Sequence, residues 1–109
     1  MIIAVDFDGT LCENKYPDIG KPNTMLINHI IDCQEYGDKF ILWTCRQGKY
    51  LNEAIRWCAH QHLHFDAVNE NLPERLAEYG GDCRKVSADE YWDDKAYNMT
   101  FPKEERNYD

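Results

Sequence analysis

No apolar run in the chain approaches the roughly 20 residues that a bilayer-spanning helix needs; the stretch Phe40 to Trp43, with Thr44 behind it, shows the scale of what is there. The N-terminus also lacks the basic start and long apolar segment of a signal peptide, so the expected location is the cytoplasm, with no membrane partner. Basic residues are scarce. Lys and Arg number 12 against 20 Asp and Glu, a formal charge of −8 at pH 7, and that balance repels a nucleic acid or an anionic membrane, though not a free nucleotide. There is no C-x-x-C pair: Cys12, Cys33, Cys45, Cys58 and Cys83 are odd in number and irregularly spaced, which favours reduced thiols over a disulfide framework or a zinc knuckle. Internal repeats and low-complexity tracts are absent too. At 109 residues with 43% hydrophobic composition, the chain suits one packed domain over 1–109, with a polar tail over about 102–109.

What is present alternates between strand and helix. Met1 to Asp6 reads as a central strand buried on both faces and broken by Asp-Phe-Asp-Gly-Thr. Residues 11 to 23, with Asn14, Pro17, Gly20 and Pro22, read as a turn-rich loop. Leu26, Ile27, Ile30 and Ile31 share one helical face, capped by Asn23 or Thr24 and stopped near Gly37. Lys39 to Thr44 is a second buried strand. A helix from about Tyr50 to His60 follows, with Leu51, Ala54, Ile55 and Cys58 inward. Phe65 to Val68 is a third strand, and Asn71 as cap, Pro73 and Gly80 frame a short helix over PERLAEY. Ala88 to Trp92 is a fourth strand. Such βαβ units predict an α/β fold, a Rossmann-like three-layer sandwich with a small parallel sheet and right-handed crossovers.

In sheets of this kind ligands gather beyond the carboxyl ends of the strands. Those ends carry Asp6 and Asp8, Thr44 and Arg46, Asn69 and Asn71, and Asp93 and Asp94. A strand-like spacing aims Asp6 and Asp8 to one side and Phe7 to the other, so two carboxylates can converge on one centre. Gly9 permits a tight turn beside them, and Thr10 adds a hydroxyl.

DFDGT after an apolar first strand, followed in order by Thr44 and the Asp93-Asp94 pair, resembles the haloacid dehalogenase superfamily. That resemblance implies a phosphomonoester hydrolase in which Asp6 forms an aspartyl phosphate and Asp8 serves as general acid and base. It implies Mg2+ held by Asp6, the main-chain carbonyl of Asp8, Asp93, and Asp94 directly or through water, and phosphoryl oxygens held by Thr44 and the amides near Gly9, with Arg46 adding a charged fork. The superfamily also uses a basic residue, for which Lys85 in CRKVSAD is nearest by order. If residues 86 to 93 ran as one straight strand, Lys85 would lie roughly 26 Å from Asp93, so Lys95 or Arg46 stand as alternatives. The elements account for nearly the whole chain, so no cap domain fits. The expected partner is a phosphorylated small molecule; a second copy of the chain stays open, since capless sites can borrow a lid from a neighbour. The loop Leu11 to Lys21, with Lys15 and Tyr16, is the evident substrate-facing flap.

Each assignment has a plainer rival. An acidic pair beside a glycine can merely cap a turn, Asp93-Asp94 can be a solvated turn, Thr44 a β-branched strand residue, and Arg46 a surface salt bridge as readily as a phosphate contact. His60, His62 and His64 alternate, and a step of two is not the i, i+4 spacing that places two ligands on one helix face; Cys58 and His62 do have that spacing, yet zinc is not favoured. Cys45 has no placed base to activate it. A non-catalytic or very slow phospho-ligand-binding module on the same fold is the main alternative to the enzyme.

Overall fold

A computed structural model describes residues 1–82, 85–97 and 99. The elements are β1 (Ile2–Val5), β2 (Cys12–Lys15), β3 (Asp18–Pro22), α1 (Thr24–Glu35), β4 (Lys39–Leu42), α2 (Gly48–His60), β5 (Ala67–Val68), α3 (Pro73–Tyr79) and β6 (Glu90–Trp92). Strands β5, β4, β1 and β6 form one sheet in that order, each neighbouring pair parallel. The chain steps outward from β1 to β4 and β5, then returns to the other side of β1. That reversal brings the carboxyl ends of β1 and β6 side by side, where Asp6 donates its amide to the Trp92 carbonyl at 2.9 Å.

All of β1 is buried, because both faces of the sheet are covered. Ile3 and Val5, with Phe7 just beyond the strand, pack with Ile27 and Ile30 of α1 and Ala54 and Cys58 of α2. Ile2 and Ala4 face the other way, toward Ile41, Val86 and Leu72, the residue that leads into α3. The result is the expected three-layer α/β arrangement, with α1 and α2 on one face and α3 on the other. The Asn23 side chain accepts the Leu26 amide at 3.3 Å and so caps α1, and α3 begins at Pro73 and ends at Gly80 in the left-handed region, φ 72°. Among the described residues no helix is long and apolar enough to cross a membrane.

Several boundaries differ from the sequence reading. Residues 11 to 23 are largely the antiparallel hairpin β2–β3, not an open loop, with Asn14 opposite Ile19 and Lys15 opposite Asp18. The helix read from Tyr50 starts at Gly48, and Ile55 is exposed rather than inward. Strands β5 and β6 are shorter than Phe65 to Val68 and Ala88 to Trp92, because side chains take over the edge of the ladder: Asp66 accepts the Phe40 amide at 2.8 Å and Asp89 accepts the Ile2 amide at 2.7 Å. Asn71 does not cap α3; it is buried, and its side chain accepts the Ser87 amide and donates to Asp82. Cys83 and the tail over 102–109 lie outside the described residues, and Cys12, Cys33, Cys45 and Cys58 are free thiols.

Asn71 therefore ties the loop before α3 to the chain that leads back into β6. Replacing it with Ala orphans the half-buried Ser87 amide, and an unmet donor held out of water costs about 1 to 3 kcal/mol. A urea denaturation of Asn71→Ala should show a loss in that range with an unchanged slope.

Candidate functional site

The carboxyl ends of β1 and β6 place Asp6, Asp93 and Asp94 together, one carboxylate oxygen from each lying within 4.8 Å of the others. Asp6 is half-buried, while Asp93 and Asp94 are exposed. The Asp6 pKa is raised to about 6, chiefly by burial, with the charges of Asp93, Asp94 and Asp8 adding to the rise and a hydrogen bond from the Phe7 amide partly offsetting it. The strongest charges acting on Asp6 are thus all negative. Two backbone details fix this geometry. Gly9 sits at φ 88°, and a Cβ there would come within 2.5 Å of Asp94 Oδ2, so the turn needs glycine both for its conformation and for clearance. The Asp94 amide donates to Thr10 Oγ1 at 3.2 Å, and the Lys95 amide donates to Asp93 Oδ1 at 2.9 Å.

Asp8 takes a different neighbour. Arg46 grips it as a fork, Nε to Oδ2 and Nη2 to Oδ1, each at 2.8 Å. The remaining Arg46 donors reach the carbonyls of Pro17 at 3.2 Å, Tyr50 at 3.3 Å and Asp18 at 3.0 Å, so all five N–H groups of the guanidinium are occupied. Arg46 is only 2% exposed, and its Cζ lies 5.0 Å from the ring centroids of both Phe7 and Tyr16. The side chain expected as a phosphate fork, or else as a surface salt bridge, is neither: it is a buried hub whose plane is committed to Asp8, the hairpin and α2. Local sequence carries no signal for this, since Asp8 and Asp18 lie 38 and 28 residues away.

Thr44, just past β4, accepts the Arg46 amide on Oγ1 at 3.1 Å, which leaves its hydroxyl proton to donate outward. Its own amide goes to Asn69 Oδ1 at 2.8 Å, with Asn69 in the left-handed region at φ 55°. The amides of Gly9, Thr10 and Leu11, expected to face a phosphoryl group, instead close the turn onto the carbonyls of Cys12 and Phe7. Among the described residues the amides of Asp8 and Cys45 have no protein acceptor. Lys85 does not extend from a straight strand: β6 begins only at Glu90, and the Lys85 ammonium sits 5.9 Å from the Tyr91 ring, in a recess on the α3 side with Arg75 and Tyr79. Tyr91 holds that segment through its hydroxyl, which donates to the Val86 carbonyl and accepts the Ala88 amide. Lys95 follows the acidic pair and is exposed.

Fold and site together define a doubly covered parallel α/β domain with an acidic cluster at its central strand ends. No protein-family model matches the chain, and no curated protein matches it. It is similar to a conserved protein from Bacteroides thetaiotaomicron of known structure, with 42% sequence identity over 88% of this chain and 77% of that one, at a TM-score of 0.79. The chain belongs to the family of that conserved protein.

Two outcomes follow from the charges. Asp6 binds its proton more tightly folded than unfolded between its ordinary value of 3.8 and about 6; the folded state then holds more protons, so this group makes stability fall as pH rises through that window. In chelator, Asp6→Asn should lose that part of the decline and be more stable than the parent at pH 7, as read by thermal melts across pH. Arg46→Met should cost about 3 to 5 kcal/mol in a denaturant titration, because it leaves the largely buried Asp8 carboxylate and three carbonyls without their donor.

Proposed function

We propose that the protein is a capless haloacid dehalogenase-like phosphatase that depends on Mg2+ and hydrolyses a phosphomonoester, acting in the cytoplasm on a phosphorylated small molecule. The observation that carries this reading is the half-buried Asp6, with its pKa raised to about 6, drawn together with Asp93 and Asp94 at the end of a central strand. Such a group of carboxylates is unfavourable without a cation, and an all-oxygen donor set suits Mg2+. Asp6, Asp93 and Asp94 are the residues that would hold the ion, which would neutralise them and screen the incoming phosphate dianion.

The chain's own groups then divide the work. An Asp6 carboxylate oxygen attacks phosphorus while the bond to the substrate's ester oxygen breaks, and Asp8 delivers the proton to that leaving oxygen. Asp8 next takes a proton from water, which attacks phosphorus, releases inorganic phosphate and restores Asp6. Each Asp8 oxygen keeps a second lone pair beside its bond to Arg46, so a proton can be carried with the fork in place. Thr44 and the amides of Asp8 and Cys45 are the donors for the phosphoryl oxygens, a smaller set than the Gly9 turn and Arg46 would have made.

A second reading has one observation in its favour: the strongest charges on Asp6 are all negative, and Lys85 lies on the α3 side. A fixed cation at the phosphoryl group is a large part of phosphoryl transfer, so a slow phospho-ligand-binding module on the same fold is the alternative. Phosphate release from a panel of phosphomonoesters separates the two. The phosphatase requires release that disappears with chelator and in Asp6→Asn, and that falls by about 10² to 10⁴ in Asp8→Asn. Ligand binding without release supports the module.

A further inference from the structure

We propose that Arg46 is a positioning residue that locks the β2–β3 hairpin and the Asp8 carboxylate into one mechanical unit; its effect on turnover rests on the phosphatase reading, and the coupling itself does not. The guanidinium answers three separate pieces of chain at once: Asp8 after β1, the carbonyls of Pro17 and Asp18 at the hairpin turn, and the Tyr50 carbonyl in the first turn of α2. Tyr16 of the same turn lies against the guanidinium, as Phe7 does, and packs edge-on to Tyr50 with centroids 5.7 Å apart.

The base of the hairpin is fastened independently, through the Gly9 amide on the Cys12 carbonyl and the Asn23 amide on the Leu11 carbonyl. Among the described residues, the hydrogen bonds that tie the turn at its tip to the body of the protein are the two from Arg46. A planar fork with fixed donor directions cannot serve Asp8 and the tip in independent orientations, and a lysine ammonium cannot replace its geometry. When the tip moves, the fork moves, and the carboxylate that must meet the leaving oxygen moves with it. The hairpin is thereby a part of the proton-transfer apparatus and not only a cover.

The test uses the full chain with Mg2+ and compares the parent with Arg46→Lys and Asp8→Asn. Hydrogen exchange should quicken by on the order of tenfold in the hairpin peptide of both variants while β1 and β4 keep their protection, since Arg46→Lys removes the fork that holds the tip carbonyls, Asp8→Asn removes the carboxylate that fixes that fork, and neither touches the sheet ladder. Asp8→Asn keeps every hairpin residue, so it reads the coupling even if Arg46→Lys folds poorly. In Arg46→Lys, kcat/KM should fall on the order of tenfold more for phenyl phosphate than for p-nitrophenyl phosphate, whose leaving group needs little protonation. A merely structural Arg46 would lower both substrates equally. Unchanged hairpin exchange in Asp8→Asn, or equal losses on the two substrates, overturns the proposal. If the parent releases phosphate from neither compound, the phosphatase reading fails, and the exchange result still decides the coupling.

Discussion

Four carboxylates are carried to one end of the parallel sheet, and how each is neutralised organises what surrounds them. Asp8 is answered from within, by the 2% exposed Arg46 at 2.8 Å on both oxygens. Asp6, Asp93 and Asp94 are left with one another, and burial and mutual repulsion push the Asp6 pKa to about 6. A cation would relieve the repulsion among these like charges. The family relative of known structure shares 42% identity with this chain, and a common fold is what that likeness supplies. The functional reading rests on the chemistry of the strand ends.

The backbone around the cluster is shaped by the same constraint. Gly9 leaves room for the Asp94 carboxylate, Asn69 takes the left-handed region so that its side chain can hold the Thr44 amide, and Thr10 anchors the Asp94 amide. These devices join the ends of β1, β4, β5 and β6 to one another. Arg46 adds the hairpin to this set, so that its tip is held by electrostatics and ring contacts.

Much of this was legible in the sequence where the signal is local. Buried apolar runs announced β1 and β4, and proline at the start with glycine at the end marked α3 from Pro73 to Tyr79. Asp6, Asp93 and Asp94 were legible as a group because each follows an apolar strand, and a parallel sheet aligns such ends. What escaped depends on distant partners or weak periodicity. β2 has the pattern of one buried and three exposed residues, which reads as loop. Asn71 has the residue type of a cap, yet its partner is the Ser87 amide, 16 residues on. Arg46 looks like a strand-end cation from sequence, and only the fold supplies the carboxylate, carbonyls and rings that enclose it. Lys85 was displaced from the site because the chain before β6 is held by Asn71, Asp89 and Tyr91 in place of a strand ladder.

The proposed phosphatase needs Asp6, Asp93 and Asp94 to form a cation site. Calorimetric titration of Mg2+ into chelator-treated protein at neutral pH, beside Asp93→Asn, tests it most directly. One ion bound per chain in the parent, with binding lost in Asp93→Asn while the fold is retained, is the expected result. No binding by the folded parent, or binding indifferent to Asp93, would contradict it.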